Sequence, residues 1–432
     1  MSALFPPLPE ESRRILHRLP VLIDEVFPLP ARFRAGLKRD VAELSRLLTS
    51  GRGDRSASYL GRPALLSAYL RYFLPWNIYR LCRLFSHLPL DLKSNDAVND
   101  LGAGPLTLAA SLWISRPDLR SVPLEFRCLD RTSTVLEAGK KFFSALAAGT
   151  ACPWEIRTIR GELRISSRKT DGLRRPGGLS VKIKGKPAAL SAAVNVYNEL
   201  FWDFSPLDSG GLMLFAEHQA RLLSSLTEDS GSILVVEPGI PRSGEFISLL
   251  RSSLIAEGRP PLSPCVHPDP CPLSGKKITG RNAASRDTNV RKAGGKAKWC
   301  HFAFDTEDAP EELHLLSAAS GIPKERAVLS FILAGPITGE RRVIDTQQVP
   351  ARRNAVPLRV ISDSFPIGGD VLRKKSTGQN LWGRYGCSEK GLVLVTGSKE
   401  SLESSASGAL EDLPLVPGAI DEKSGALVAK KE

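Results

Sequence analysis

The feature that most constrains the fold is an alternation of short apolar strands with helical patterns that begins near residue 96. The stretch DAVNDLGAGPLTLAASLW predicts a strand, a glycine turn and a helix, LEFRCLD predicts the next strand, and TVLEAGKKFFSAL predicts the next helix. Strands that alternate with helices are joined by right-handed crossovers and form a parallel sheet with helices on both faces. The sequence therefore predicts an α/β protein with a Rossmann-like, doubly wound sheet.

Four regions are expected, because a chain of 432 residues exceeds the size at which a single core stops growing. Apolar spacing predicts an N-terminal helical region over residues 1–92. The Rossmann-like domain follows over 93–345 and includes a basic insertion and a cysteine-rich loop at 264–301. We expect a small β-rich appendage over 346–398 and a mobile tail over 399–432.

The charge of the chain is concentrated in two segments. Lys and Arg exceed Asp and Glu by 59 to 46, a net charge of +13, and residues 164–187 and 274–298 each contain eight basic residues and one acid. Both segments are rich in glycine and poor in large apolar side chains, so we expect mobile basic loops. Contact with a phosphate backbone is one interpretation, and solubilising insertions without a specific partner are the other.

No apolar run approaches the roughly 20 residues that cross a bilayer, so we expect no membrane span. The N-terminus MSALFPPLPEESRR has prolines and acids where a secretory signal would have basic and apolar residues. These features predict a cytoplasmic monomer. In a reducing compartment, clustered cysteines more often bind metal or carry out redox chemistry than form structural disulfides.

The glycine turn VNDLGAGPLTLAA lies between a predicted strand and a predicted helix. Glycine lets the backbone approach a ligand closely, and the first N–H groups of a helix can bind a polar or anionic group. Thr107 replaces the third glycine of the dinucleotide fingerprint, which weakens the case for pyrophosphate binding. The candidate cofactor-binding residues are Asp100, Gly102, Ala103, Gly104 and the strand-end acid Asp130, which is placed to bind ribose hydroxyls.

The order D-x-G-x-G followed by a strand-end acid resembles class I S-adenosylmethionine-dependent methyltransferases, which bind an adenosine without a pyrophosphate. The alternative is a glycine turn that only packs a strand tightly against a helix. Many RNA and amine methyltransferases hold the acceptor nitrogen with N/D-P-P-Y/F after the fourth strand. The corresponding VNVYNELFWDF has no proline pair. Asn198 and Glu199 are candidates to polarise an acceptor, with capping or packing as the alternative.

Four of the seven cysteines fall in loop-like sequence: Cys265, Cys271, Cys300 and Cys387. Cys82 and Cys128 lie in apolar patterns typical of buried residues. Four thiolates suit a tetrahedral zinc ion or a [4Fe-4S] cluster, and their spacing does not separate the two. His267 and His301 are neighbours of these cysteines and are alternative zinc ligands.

The ordered set D-L-G-A-G-P, E-P-G, P-C-x5-C-P, W-C-H-F and G-R-Y-x-C resembles the methyltransferase-like protein 17 family, proteins of mitochondria and bacteria that associate with the small ribosomal subunit. The resemblance covers roughly residues 50 to 395. It implies a [4Fe-4S] cluster on Cys265, Cys271, Cys300 and Cys387, and binding to small-subunit rRNA during assembly. The segment between Cys271 and Cys300 is longer than is usual for the family.

Three functions follow as hypotheses. The first is a small ribosomal subunit assembly or translation factor that binds rRNA through its basic loops and contains the cluster. The second is an active S-adenosylmethionine-dependent rRNA methyltransferase. The third is a scaffold stabilised by zinc that binds no RNA.

Overall fold

The computed structural model describes residues 5–49, 59–161, 164–170, 173–180, 183, 185–200, 209–265, 268, 271, 299–338, 369–374, 380–388, 391–397 and 411–414. The basic segment 274–298 and His267 lie outside the described residues, as does the side chain of Cys387.

The helices are α1 Glu10–Val26, α2 Ala31–Arg34, α3 Leu37–Leu48, α4 Pro63–Ala68, α5 Leu74–Phe85, α6 Thr107–Ser115, α7 Ser133–Leu146, α8 Tyr197–Leu200, α9 Ser209–Leu226, α10 Pro241–Ala256 and α11 Glu311–Ala319. A π-helical turn, Tyr69–Phe73, joins α4 to α5. Short 3-10 turns occupy Tyr59–Gly61 and Pro117–Leu119.

The strands are β1 Asp96–Leu101, β2 Leu124–Asp130, β3 Glu155–Arg160, β4 Arg164–Thr170, β5 Leu173–Ser180, β6 Ala188–Val194, β7 Thr227–Pro238, β8 Pro261–Ser263, β9 Phe302–Asp305, β10 Arg326–Ala334, β11 Gly369–Lys374, β12 Asn380–Ser388, β13 Gly391–Gly397 and β14 Glu411–Pro414.

The main sheet has the order β3-β2-β1-β6-β7-β10-β8, and β9 also pairs with β10. The strands β3, β2, β1, β6 and β7 are mutually parallel, as predicted. At the far edge β10 runs antiparallel to β7, β8 and β9, so the sheet is mixed rather than wholly parallel. This is a Rossmann-like α/β fold, which confirms the predicted fold class.

Both faces of the sheet are covered. One core packs α9 and α10 against the sheet through Phe215, Phe246 and Leu250. The other core is continuous from the N-terminal helices to the sheet and includes Leu16, Tyr79 and Phe331. Both faces of the sheet therefore bury apolar side chains: in β7, Leu234 and Val236 belong to one core, and Ile233 and Val235 belong to the other.

Helix α5 lies in the middle of this second core. Ten of its twelve residues are buried, whereas α1 and α3 bury only one face, through residues such as Leu19 and Leu44. A helix that is apolar on nearly all sides is buried between layers. The N-terminal helices therefore pack directly on the sheet, and α5 brings its few polar side chains close to the strand ends.

The prediction of a loop over the first basic segment is wrong for its larger part. The strands β4 and β5 form an antiparallel hairpin in which Thr170 pairs with Leu173, leaving the two-residue connection Asp171–Gly172. Asp-Gly is a strong two-residue hairpin signal, and backbone pairing does not depend on large apolar side chains. Arg168 stands opposite Arg175 in the register, and Lys169 stands opposite Arg174.

The C-terminal strands form a separate antiparallel sheet with the order β11-β12-β13-β14. Cys387 lies in β12, where its backbone pairs with Leu392 of β13. The last strand, β14, falls within the range 399–432 that the sequence predicts as a tail. Among the helices of the described residues, none combines the length and the apolar character that a membrane span requires.

Candidate functional site

The chain order creates a crevice at the carboxyl ends of β1 and β6. From β1 the chain proceeds outward to β2 and β3, and it then returns to the other side of β1 to form β6. In open α/β sheets, ligands bind outside the strand ends at the point where the strand order reverses. The glycine turn follows β1 and the segment that begins with Asn195 follows β6, so both predicted functional segments border this crevice.

The glycine turn adopts a conformation that explains its sequence. Gly102 and Gly104 have φ angles of +72° and +53°, a region that side chains with a Cβ rarely adopt. A Cβ on Gly102 would lie 2.5 Å from Cγ2 of Val196, so the β1 turn touches the segment after β6. At Gly104, in contrast, no described atom lies within 4 Å of such a Cβ. The turn is thus closed by packing at Gly102 and open at Gly104.

Asp130 connects the ends of β1 and β2. Its Oδ2 accepts a hydrogen bond from Gly104 N–H at 3.0 Å, and its Oδ1 accepts one from Thr132 N–H at 2.8 Å. Burial raises the pKa of this carboxyl, and the two backbone donors oppose the shift. The predicted ribose-binding acid is therefore fixed against the glycine turn, and each oxygen retains capacity for a second donor.

Asp100 is the other acid of the predicted set and lies at the end of β1, 2% exposed. Its Oδ2 has no hydrogen-bond partner among the described residues. Burial and, to a smaller extent, the neighbouring Asp130 together raise the pKa of Asp100 to about 8. A buried oxygen without a partner is costly, so this carboxyl is suited to a ligand that brings a donor or a positive charge.

The segment after β6 is organised by Glu237, which ends the apolar part of β7 and is fully buried. Its two carboxylate oxygens accept hydrogen bonds from Tyr197 N–H at 2.8 Å and Asn198 N–H at 2.9 Å. Burial raises the pKa of Glu237 to about 8, opposed by these donors and by Arg80. Asn198, which the sequence proposed as a polarising residue, therefore has its backbone committed to Glu237.

The N-terminal helices supply the opposite wall through Tyr69, Asn77 and Arg80. Arg80 donates to Val328 O at 3.1 Å, to Asn77 Oδ1 at 3.0 Å and to Asn195 Oδ1 at 2.9 Å. The Tyr69 hydroxyl is hydrogen-bonded to Asn77, and burial together with the carboxylates of Glu199 and Asp130 raises its pKa well above the usual value. These three residues form a polar row over the strand ends.

Glu199, the second residue proposed to polarise an acceptor, instead joins two sides of the crevice. It accepts a hydrogen bond from Tyr59 Oη at 3.2 Å, and its other oxygen lies 4.0 Å from Arg131. Tyr59 belongs to the 3-10 turn before α4, and Arg131 directly follows Asp130. Glu199 therefore links the N-terminal helices to the end of β2.

The cysteines gather at the antiparallel edge. Cys265 follows β8 and is buried, and Cys300 precedes β9. Arg251 of α10 donates from Nε to Cys265 Sγ at 2.9 Å. Burial raises the pKa of Cys300 well above its usual value, and the nearby thiolates of Cys271 and Cys265 raise it further. Three of the four predicted ligands thus lie within electrostatic range of one another.

These thiols do not make a complete metal site by themselves. Within the described residues, no group of three or more His, Cys, Asp or Glu side chains is arranged to hold a metal ion. His301 stacks on Trp299 with ring centroids 4.7 Å apart, and its Nδ1 lies 3.0 Å from Trp299 O. Burial lowers the pKa of His301. The structure therefore places His301 in a packing contact, while His267 and the Cys387 side chain lie outside its described part.

Sequence reasoning missed Arg80, Asn195, Glu237 and Arg251. Arginine is almost never fully buried without a partner, so Arg80 and Arg83 within the otherwise apolar LPWNIYRLCRLF were a signal that α5 carries polar contacts. Glu237 at the end of SILVVEP was a comparable signal. Arg251 lies 14 residues before Cys265, and nothing in the spacing indicates their contact.

Comparison with known proteins returns methyltransferases among solved structures, at low similarity. No family model and no curated protein matches the sequence. The complex between the Haloferax volcanii Trm112 activator and a methyltransferase aligns at 9% identity over 72% of this chain and 98% of that one, with a TM-score of 0.30.

A geranyl diphosphate methyltransferase in complex with GPP and sinefungin aligns at 12% identity over 69% and 99%, with a TM-score of 0.30. The YjhP protein of E. coli aligns at 14% identity with a TM-score of 0.23, and the match spans 49% of its length and 38% of this chain.

Proposed function

We propose that the chain binds S-adenosylmethionine in the crevice at the ends of β1 and β6. The observation that carries this proposal is the buried, unpartnered Oδ2 of Asp100 beside a glycine turn that is open at Gly104. A ligand with a charged amino group would satisfy Asp100, and Asp130 lies at the strand end where ribose hydroxyls are bound in such folds. The space at Gly104 leaves its side of the turn accessible to the ligand.

Bound there, S-adenosylmethionine would supply an electrophilic methyl group. The chain's own part is to fix the glycine turn through Asp130, to neutralise the ligand's amino group with Asp100, and to exclude water with the wall of Tyr69, Asn77 and Arg80. A buried carboxylate makes a stronger interaction with a cation than an exposed one, because the surrounding dielectric constant is low. The site thus suits a cationic nucleoside ligand.

The test is calorimetric titration of S-adenosylmethionine into the protein and its Asp100→Asn variant. We expect the variant to lose affinity by about 10-fold to 100-fold, the usual contribution of a hydrogen bond to a charged group. Its thermal midpoint should stay the same or rise, because the substitution removes a buried carboxyl that lacks a partner. Asp118→Asn, which changes an acid with an exposed side chain, is the matched control.

The pH dependence gives the same test a second readout. Because the pKa of Asp100 is about 8 in the free protein, binding of a cation below that pH must release a proton. Affinity should therefore rise with pH up to about 8 in the unaltered protein and stay flat in Asp100→Asn. A pH-independent affinity in the unaltered protein would contradict the role of Asp100.

We further propose that Cys265, Cys271 and Cys300, together with Cys387, hold a [4Fe-4S] cluster. The support is that Cys300 lies within electrostatic range of Cys265, Cys271 and Arg251, and that Arg251 donates a hydrogen bond to Cys265 Sγ; thiolates are the donors that iron-sulfur clusters use. The fourth ligand of this proposal has its side chain outside the described part of the structure. Cys387 is the candidate that the family resemblance implies.

Anaerobic purification with iron and sulfide analysis tests the cluster. We expect brown protein with visible absorbance, and loss of most iron in Cys300→Ser and in Cys387→Ser. Cys152→Ser changes a cysteine outside this group and serves as the control. Colourless protein that contains stoichiometric zinc would contradict the cluster and favour the zinc scaffold.

We propose that the partner is small-subunit rRNA, bound by the hairpin β4–β5 and by the segment 274–298. The support is the register of the hairpin, in which basic residues stand opposite each other at Arg168–Arg175 and Lys169–Arg174. Opposed like charges destabilise a β ladder, and phosphate groups would relieve that cost. The net charge of +13 favours the same partner.

Binding of small-subunit rRNA should weaken steeply with salt, with a slope of about −0.7 to −0.9 per phosphate contact. Replacing Arg168, Lys169, Arg174 and Arg175 by Gln, or deleting 274–298, should each lower affinity and flatten that slope. Replacing four exposed basic residues of the N-terminal helices, Arg13, Arg14, Arg32 and Arg39, provides the control. Affinity that is independent of salt would contradict the proposal.

Active methyl transfer to rRNA is the second candidate, and the cofactor crevice supports it. Methylated rRNA positions are mapped in cells that lack the protein and in the same cells supplied with the Asp100→Asn variant. This comparison distinguishes methyl transfer from an assembly role. A methylation lost in the deletion and not restored by Asp100→Asn would favour the enzyme.

A further inference from the structure

At the end of β6 the crevice is bordered by a contact of the protein with itself, between Arg80 and Asn195. Asn195 directly follows β6 and has a φ angle of +58°, which turns the chain sharply at the strand end. This is the position at which the N/D-P-P-Y/F enzymes hold the acceptor nitrogen with the first residue of the motif. Here Asn195 Oδ1 already accepts a hydrogen bond from Arg80 at 2.9 Å.

Arg80 spans three strand ends. Its guanidinium donates to Asn195 after β6 and to Val328 of β10. The last residue but one of the neighbouring β7 is Glu237, whose buried carboxyl is close enough to Arg80 to interact electrostatically. A planar cation with several N–H donors is thus surrounded by an amide oxygen, a backbone carbonyl and a carboxyl. This is the donor and acceptor pattern that a guanidinium or an amidine-like N–H edge would require.

Arg80 is held there by its helix rather than by a flexible loop. It lies on α5, where Asn77 one turn earlier accepts a third hydrogen bond from the same guanidinium. Because most of α5 is buried, the position of Arg80 is fixed by core packing. Its Nε is buried and has no hydrogen-bond partner among the described residues.

We propose that the Asn195, Val328 and Glu237 subsite binds planar N–H donor cations and that Arg80 occupies it in place of an acceptor. This inference rests on the proposed cofactor function. The protein would then hold its cofactor with a fixed positive charge at the acceptor side. A sulfonium beside that charge is disfavoured relative to the neutral thioether of S-adenosylhomocysteine, so Arg80 should shift the preference toward the demethylated form.

The experiment compares the affinities of S-adenosylmethionine and S-adenosylhomocysteine by calorimetry in the unaltered protein, Arg80→Ala and Arg80→Gln. We expect both variants to move the ratio of the two affinities toward S-adenosylmethionine by about 3-fold or more, since one cation has been removed near the sulfonium. Arg80→Gln keeps a side-chain hydrogen-bond donor without the charge, and it replaces Arg80→Ala in the test if Arg80→Ala does not fold.

Methylguanidine supplies the second readout. At millimolar concentration it should return the affinity ratio of Arg80→Ala toward that of the unaltered protein, and raise the thermal midpoint of the variant by about 2 to 4 °C. The control is Arg83→Ala, which removes a buried arginine of the same helix that binds Asp308 instead. There methylguanidine should leave the affinity ratio unchanged.

The outcomes separate the two proposals. If the unaltered protein binds neither cofactor form, the proposed function is overturned. If it binds both and the ratio is the same in Arg80→Ala and Arg80→Gln, the occupied subsite is overturned while the cofactor function stands. Equal effects of methylguanidine on Arg80→Ala and Arg83→Ala would also overturn the subsite.

Discussion

The carboxyl edge of the parallel strands and the antiparallel edge at β8 to β10 assemble their chemistry in different ways. At the parallel edge, Asp100 and Asp130 each occupy the end of a strand, and short local turns fix them. At the antiparallel edge, Cys265 and Cys300 come from segments separated by 34 intervening residues, and α10 supplies Arg251. The residues at the parallel edge are placed by local sequence, whereas those at the antiparallel edge come together only because the topology brings distant segments near each other.

The charges of the two edges also differ. The crevice collects the carboxyls of Asp100, Asp130, Glu199 and Glu237 against the guanidinium groups of Arg80 and Arg131. The antiparallel edge collects thiols against the guanidinium of Arg251. Burial opposes ionisation of both kinds of acid, so it raises the pKa of Asp100 and Glu237 in the crevice and of Cys300 at the antiparallel edge.

The largest expected effect concerns the parallel edge, where Gly102 packs against Val196. Gly102→Ala adds a methyl group 2.5 Å from Val196 Cγ2 and strains a φ of +72°, so we expect unfolding to become easier by about 2 to 5 kcal/mol. Gly104→Ala has a similar φ but open space, and should cost only about 1 to 2 kcal/mol. Denaturant unfolding measures both. Equal losses would show that strain alone, rather than the contact between the two turns, requires glycine.

The next effect concerns the antiparallel edge. A Cβ on Gly244 of α10 would lie 2.7 Å from the Trp299 Cβ, so Gly244→Ala should push away the segment that carries Cys300. We expect a loss of about 1 to 3 kcal/mol, lower iron content, and cofactor affinity within about 2-fold of the original, because sites without shared partners act additively. Ser252→Ala on the same helix is the control. A large loss of cofactor affinity would contradict the independence of the two edges.

A smaller effect concerns the pH dependence of stability at Glu237. Its pKa is about 8 in the folded protein, above the value of a free glutamate, so the folded state keeps a proton that the unfolded state releases. The resulting contribution to the free energy of unfolding is complete below about pH 4. It falls as the pH rises to about 8, with a slope of up to about 1.4 kcal/mol per pH unit. Glu237→Gln should remove it.

Urea unfolding measured across this pH range checks that expectation, with Glu217→Gln on α9 as an exposed control. If Glu237→Gln left the slope unchanged, burial would not be the force that keeps this carboxyl protonated.

The smallest effect concerns the link across the crevice. Tyr59→Phe removes the hydrogen bond to Glu199 and should cost about 0.5 to 1.5 kcal/mol. A double-mutant cycle with Glu199→Gln isolates the contact, and we expect a coupling energy of similar size. A coupling energy near zero would mean that Glu199 is held by Arg131 and its other contacts rather than by Tyr59.

The sequence by itself determined the class of fold and the position of the crevice at the ends of β1 and β6. The alternation of strands and helices from residue 96 set the layers, and Asp100, the glycines and Asp130 could be assigned because the residues at strand ends and in tight turns obey local backbone rules. The Asp-Gly pair between β4 and β5 carried a hairpin signal of the same local kind.

Which side chains contact these strand ends and turns was decided only by the tertiary structure. It placed Arg80 of α5 on Asn195, the amides of Tyr197 and Asn198 on Glu237, and Arg251 on Cys265, and it made the far edge of the sheet antiparallel. These side-chain contacts join residues that are from 14 to 115 positions apart along the chain. Side-chain partners at such distances follow from how helices pack on the sheet, and no local spacing rule encodes that packing.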